Sequence, residues 1–189
     1  MKILVHQCCA PCSVYPISEL KGAGYDITTY FFNPNIQPLK EFYLRLEQAV
    51  LFNREEGLEM IIDPSYGLTE FTRAVSHRES SRCAYCYSSR MEKTAQMAVE
   101  KGFDCFSTTL LYSKFQKHEL IIDMGEAAAK KYGVAFHYED WREGWQCGID
   151  ESVAREMYRQ NYCGCIYSEE DRFSEQLKRK IAKLIKTAD

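Results

Sequence analysis

Lys2-Ile3-Leu4-Val5-His6-Gln7-Cys8-Cys9-Ala10-Pro11-Cys12 runs from a short apolar stretch straight into three cysteines. An apolar run of this length, closed by a proline-containing turn, reads as a buried strand over 2–6. Further strands follow over 26–32, 58–62, 103–108 and 134–138. Helical periodicity occupies 13–22, 38–56, 68–76, 86–101 and 114–131, with a last helix near 170–187. Gly22, Gly24, Gly57, Gly102 and Gly133 fall where helices should stop. Strand–helix alternation of this kind predicts a parallel sheet sandwiched by helices, with right-handed crossovers. The fold class is therefore α/β, one domain spanning 1–189.

Composition agrees with a globular chain. Of 189 residues, 46% are hydrophobic and 27% charged, enough to form one buried core. No stretch approaches the ~20 apolar residues of a membrane span, and the N-terminus lacks signal-peptide architecture. The expectation is a cytoplasmic protein with reduced thiols. An odd count of nine cysteines also argues against a disulfide framework. The net charge of −3 excludes a global basic field of the kind that drives non-specific nucleic-acid binding. Lys178, Arg179, Lys180, Lys183 and Lys186 nevertheless crowd the last helix, and a solvated helix face is the plainest account of them.

Seven of the cysteines form three clusters: Cys8, Cys9 and Cys12; Cys83 and Cys86; Cys163 and Cys165. In an open α/β sheet, ligands bind beyond the carboxyl ends of the strands. The first cluster lies there, as do Asn33-Pro34-Asn35 after the second strand and Thr108-Thr109 after the fourth. Cys-x-x-Cys at a helix start suits zinc or iron–sulfur chemistry, and the helix dipole there favours thiolate. Cys163 and Cys165 would share one face of an extended segment, able to fold back as a lid. Adjacent Cys8 and Cys9 should diverge and serve different metal atoms. A structural zinc closes its tetrahedron with four ligands, so seven cysteines favour a four-iron cluster or two neighbouring centres. Cys105 and Cys147 read as core or loop residues.

Other candidates are less specific. His6 suits a ligand, a proton donor or a hydrogen-bonded structural histidine. Asp140 could bind metal or relay a proton, or merely pair with Arg142 in a loop. Tyr85 and Tyr87 could stack on a base or shield a cluster.

As an ordered set these motifs resemble the QueH type of epoxyqueuosine reductase. The resemblance rests on His6-Gln7-Cys8-Cys9-Ala10-Pro11-Cys12-Ser13, Phe32-Asn33-Pro34-Asn35-Ile36-Gln37-Pro38 and Cys83-Ala84-Tyr85-Cys86-Tyr87 through Arg90. It continues through Thr108-Thr109-Leu110-Leu111, Ser113, Gln116, Asp140-Trp141-Arg142 and Tyr162-Cys163-Gly164-Cys165. It implies reduction of the epoxide of epoxyqueuosine at the tRNA wobble position, giving queuosine. It further implies a [4Fe-4S] cluster, an additional mononuclear iron, an electron-donor protein or reductant, and an α/β core similar to the PP-loop, HUP-like fold. Where PP-loop enzymes carry a Gly-rich phosphate loop, this chain has Cys8-Cys9-Ala10-Pro11-Cys12, which argues against ATP use.

On that resemblance, Cys9, Cys83, Cys86 and one of Cys163 or Cys165 would hold the cluster. Cys8 with the remaining cysteines, including Cys12, and Asp140 would hold the second iron. Protons would come from metal-bound water, or from His6 or Tyr162. Tyr43, Tyr85, Arg90 and Arg142 would stack on or clamp the RNA, with Asn33, Asn35, Thr108, Thr109 and Gln116 hydrogen-bonding the modified base. The basic face of the last helix would meet phosphates. Two other readings compete: a PP-loop-like tRNA thiolation enzyme and a zinc-stabilised RNA-binding module.

Overall fold

The first strand, β1 (Lys2–His6), lies at the centre of a five-stranded sheet. The structure is a computed structural model that describes residues 1–188. β1 pairs in parallel with β2 (Asp26–Phe32) on one side and with β4 (Cys105–Thr108) on the other. Outer strands β3 (Glu59–Asp63) and β5 (Ala135–Phe136) complete the order β3-β2-β1-β4-β5. All four pairings are parallel. The central position explains the sequence of β1: Ile3, Leu4 and Val5 are fully buried, each worth about 1.5–3 kcal/mol over exposure, because helices cover both faces.

The helices are α1 (Val14–Gly22), α2 (Leu39–Glu56), α3 (Leu68–Val75), α4 (Arg82–Lys101), α5 (His118–Tyr132), α6 (Trp145–Ala154) and α7 (Ile166–Ala188). The connections after β1 and β2 step one way along the sheet, and those through α4 and α5 step the other. Right-handed crossovers therefore put them on opposite faces. α4 packs on α5 and β1, and α1 packs on α6. Gly102 and Gly133 end α4 and α5 with φ of +72°, a left-handed cap that side-chain-bearing residues adopt at a cost.

Several bounds differ from the sequence expectation, including the start of α5 (118, not 114) and the extent of β5 (135–136, not 134–138). Three departures bear on the site. α4 starts at Arg82, so Cys83 and Cys86 both lie in its first turns, three apart on one face. α7 starts at Ile166 because the Cys165 carbonyl already accepts the N–H groups of Ser168 and Glu169. The sequence gives no clear signal for α6. A Cβ at its Gly148 would lie 2.3 Å from the Tyr112 hydroxyl. The glycine permits close packing inside a helix.

Candidate metal centre and its cavity

The reversal of strand order falls between β1 and β4, the crevice where open α/β sheets place their ligands. The cysteine loop leaves β1 there, and Thr109 follows β4. The Cys8 N–H donates to Thr109 Oγ1 at 3.2 Å, and the Thr109 hydroxyl lies 3.4 Å from Cys8 Sγ. Beyond β1 the chain turns tightly, with the Ser13 N–H bonded to the Ala10 carbonyl. Ser13 is pinned between the Gln7 amide (2.9 Å) and the Cys9 carbonyl (2.8 Å).

This turn brings Cys8, Cys9 and Cys12 together, with their sulfurs all within 4.8 Å of one another. Cys8 and Cys9 do not diverge as an extended segment would require; their sulfurs are 3.7 Å apart, because the strand has ended before Cys8. The trio is the only group of three or more such donors at this spacing among the described residues. Hydrogen bonds from Cys12 and Cys9 pull the Cys8 thiol well below its ordinary range. Bonds with Cys8 and Cys9, aided by burial, push Cys12 up. Although Cys12 donates to Cys9, Cys8 and burial raise Cys9 to about 12. Burial and mutual contact oppose ionising all three thiols together, and a cation at their centre would relieve that cost. Gln160 fits such a group. Its amide nitrogen is 3.0 Å from Cys9 Sγ, while its carbonyl oxygen is buried without a partner.

The remaining clustered cysteines approach from α4 and the segment before α7. Cys86 is buried and Cys83 half-buried. Burial raises Cys86 to about 11, opposing the helix-start effect, and the charges of Cys163 and Cys165 add to that rise. Cys163 and Cys165 do not share a face. Gly164, at φ +139°, turns the chain between them; Cys163 lines the cavity, while Cys165 packs with Phe71 and Val75. The segment is tied down. The Gln37 N–H donates to the Gly164 carbonyl at 2.8 Å, and the Arg45 guanidinium to the Cys163 and Tyr162 carbonyls at 2.8 and 3.2 Å. Gln116 bridges to α4, accepting from the Tyr87 hydroxyl at 2.7 Å and donating to Cys163 Sγ at 3.2 Å. All nine cysteines are unpaired thiols.

These groups border a cavity of about 670 Å³, whose walls include Cys8, Cys12, Cys163, Arg90, Gln116 and Tyr162. Other candidates lie elsewhere. His6 is fully buried in the sheet, its Nδ1 2.9 Å from the Thr108 hydroxyl and its Nε2 3.1 Å from the Phe32 carbonyl. Burial lowers its pKa to about 3, which keeps the imidazole neutral between these two partners. Thr108, Thr109, Asn33 and Asn35 are also buried. Asn33 donates to the Gln7 carbonyl at 2.9 Å, and the Asn35 carbonyl accepts from Arg90 at 2.8 Å. They brace the loops instead of facing the cavity. Asp140 and Arg142 form a bidentate pair (2.8 and 2.5 Å) away from the sulfur trio, and the Arg142 guanidinium holds the Asp140 carboxyl down to about 2. Tyr43 is exposed on α2 and bonded to Glu47 at 3.3 Å. Tyr85 packs beside Phe71, ring centroids 6.1 Å apart. Sequence reasoning missed Gln160, Arg159, Arg172, Tyr112, Phe115 and Trp145, all in the cavity wall.

The chain that builds this thiol-lined crevice matches the family model described as epoxyqueuosine reductase QueH over residues 3–171. The chain belongs to the epoxyqueuosine reductase QueH family. It is 38% identical over 174 residues to epoxyqueuosine reductase QueH of Dehalococcoides mccartyi, covering 92% of this chain and 96% of that protein. Identity to epoxyqueuosine reductase QueH of Haemophilus influenzae is 36% over 201 residues, covering 100% of this chain and 82% of the relative. Membership makes the chain an oxidoreductase. Among solved structures, a "predicted subunit of tRNA methyltransferase" from Methanocaldococcus jannaschii superposes with a TM-score of 0.57 at 12% identity, covering 81% of this chain and 74% of that one. That likeness concerns the fold alone. No helix of the described residues is long and apolar enough to cross a membrane.

Proposed function

We propose that the protein reduces the epoxide of epoxyqueuosine in tRNA to the alkene of queuosine, using a metal centre held by its clustered cysteines. The family match supports the reaction, and the observation that carries the metal reading is the convergence of Cys8, Cys9 and Cys12 within 4.8 Å. Removing the epoxide oxygen consumes two electrons and two protons and releases water. When bound, an iron–sulfur cluster with an adjacent iron supplies single electrons and a Lewis acid for the departing oxygen. Convergence favours Cys8, Cys9 and Cys12 as ligands of one centre, with Cys83, Cys86, Cys163 and Cys165 as further donors.

The chain's own residues would shape the rest. Thr109 and Gln160 orient the thiol loop, and Arg45 and Gln116 fix Cys163 over the cavity. Arg90, Arg159 and Arg172 give the walls positive charge suited to RNA phosphates. Tyr162 is a wall residue whose pKa burial raises. It therefore keeps its proton on Oη, donated to the Gln37 carbonyl, and is our candidate proton donor. A reductant of unspecified identity feeds the centre, and the exposed Lys178, Arg179 and Lys180 of α7 extend the basic surface toward the tRNA.

Single Cys83→Ser and Cys86→Ser variants, purified without oxygen, should lose cluster absorbance near 400 nm (roughly, for sulfur-to-iron charge transfer) together with turnover. Retention of both signals would remove these cysteines from the centre. Colourless wild-type protein binding only zinc would favour the RNA-binding module instead.

A further inference from the structure

Four aromatic rings form a contact series, three of them (Tyr112, Phe115 and Trp145) in the cavity wall. Tyr15 and Tyr112 have centroids 6.5 Å apart, Tyr112 stacks on Trp145 at 5.2 Å and 28°, and Phe115 meets Trp145 at 5.4 Å and 82°. The inner rings are held firmly. The Tyr112 hydroxyl donates to the Trp145 carbonyl at 2.8 Å. Gly144 and Gly148 allow the approach, since a Cβ at either would lie 2.2 Å from the Tyr15 ring or 2.3 Å from the Tyr112 hydroxyl. At the outer end, Phe115 is 84% exposed. A phenylalanine so placed contributes little burial to the core. Its flat, rigid face is available to a partner at low entropic cost.

The surroundings indicate the partner's chemistry. Phe115 sits between Lys114 and Lys117 in sequence, and Arg159 and Arg172 line the same cavity. Among the described residues neither arginine is in an ion pair. On a chain of net charge −3, four cations thus accompany one exposed ring, Phe115; the acidic wall residue, Asp171, is paired with Arg82. Aromatic faces flanked by guanidinium and ammonium groups are the surface that single-stranded nucleic acid selects, the rings taking bases and the cations taking phosphates.

We propose that Phe115, backed by Trp145, is a stacking platform for an unpaired base of an RNA loop, a neighbour of the base that enters the cavity. The inference rests on the tRNA reading above and adds the subsite that holds the loop open. The nearly perpendicular rings form a corner, so a base lying on one ring presents its edge to the other. Such a platform is tolerant of base identity, because every base has a π face.

The test is equilibrium binding of an anticodon stem–loop RNA with 2-aminopurine beside the wobble position, read by anisotropy and by quenching of the 2-aminopurine. Phe115→Ala and Phe115→Leu should each weaken binding about tenfold and relieve the quenching, while Phe115→Trp stays within about twofold of wild type. Leucine keeps the apolar character without the ring, so unchanged binding by Phe115→Leu overturns the stacking role. Unchanged affinity combined with slower turnover, seen only when a reductant protein replaces dithionite, also overturns it and gives the surface to the electron donor. Wild-type protein that neither binds nor converts the RNA removes the tRNA reading itself; wild-type binding with an unaffected Phe115→Ala removes the platform alone.

Discussion

The Arg45 guanidinium donates to the Cys163 carbonyl at 2.8 Å, so α2 holds in place a cysteine far away in sequence. The same side chain is buried in an ion pair with Glu41 at 2.6 Å, and the Tyr158 hydroxyl completes that carboxylate at 2.5 Å. Burying a guanidinium is costly unless each donor finds an acceptor. Here the acceptors are Glu41 and two carbonyls of the cysteine segment. The ion pair therefore links folding of α2 to the position of Cys163.

Arg45→Met should destabilise the fold by about 3 kcal/mol, because it leaves the Glu41 charge buried and unpaired. Denaturant unfolding measures this, and iron retention should fall in parallel. Arg45→Lys should rescue little, since a single ammonium cannot span Glu41 and two carbonyls as the planar fork does. Unfolding within about 1 kcal/mol of wild type would mean that the pair is dispensable.

Tyr162→Phe removes the hydroxyl that we assign as proton donor. Turnover should fall about 100-fold with iron content unchanged, and by the same factor across the neutral pH range, because burial keeps this phenol protonated there. If iron is lost together with activity, the hydroxyl's bond to Gln37 is a tether for the cysteine segment and the proton comes from elsewhere.

Glu56 fastens the end of α2 to Lys21 of α1 and to Arg155 beyond α6, each at 2.6 Å. Burial opposes its charge, but hydrogen bonds from Lys21 and Arg155 outweigh it and lower the pKa. The folded form therefore binds fewer protons than the unfolded chain around the ordinary carboxyl value. The stabilisation is present above about pH 4.5 and lost as pH falls through the lowered value. Glu56→Gln should cost about 1 kcal/mol at neutral pH, or about 2–4 °C in Tm. The gap to wild type should close on acidification, and a gap that stays constant down to pH 3 (roughly one unit below an ordinary carboxyl) would contradict this account.

The central strands were legible because Ile3-Leu4-Val5 and Ile27-Thr28-Thr29-Tyr30 are continuous runs suited to a sheet covered on both faces. The rim location of Cys8 and Thr109 followed from their positions directly after predicted strands. What escaped the sequence depended on backbone geometry or on partners distant in the chain. The turn before Ser13 reverses the divergence expected of Cys8 and Cys9, and Gly164 separates Cys163 from Cys165. Cys147 reads as core or loop filler, because nothing in the sequence brings Tyr112 against the neighbouring Gly148. His6 and Asp140 sit at chemically suggestive positions, but one is enclosed by the sheet and the other is clamped by Arg142. Gln160 carries no periodic or spacing signal. Phe115 did leave a clue, as a lone ring between Lys114 and Lys117.

The most direct test is to incubate epoxyqueuosine-containing tRNA with iron-replete protein and dithionite under anaerobic conditions, then digest the tRNA and weigh its nucleosides by mass spectrometry. The account predicts that epoxyqueuosine loses one oxygen atom to become queuosine, with reductant and without ATP. Unchanged epoxyqueuosine in the presence of iron-replete protein, or conversion that requires ATP, would contradict it.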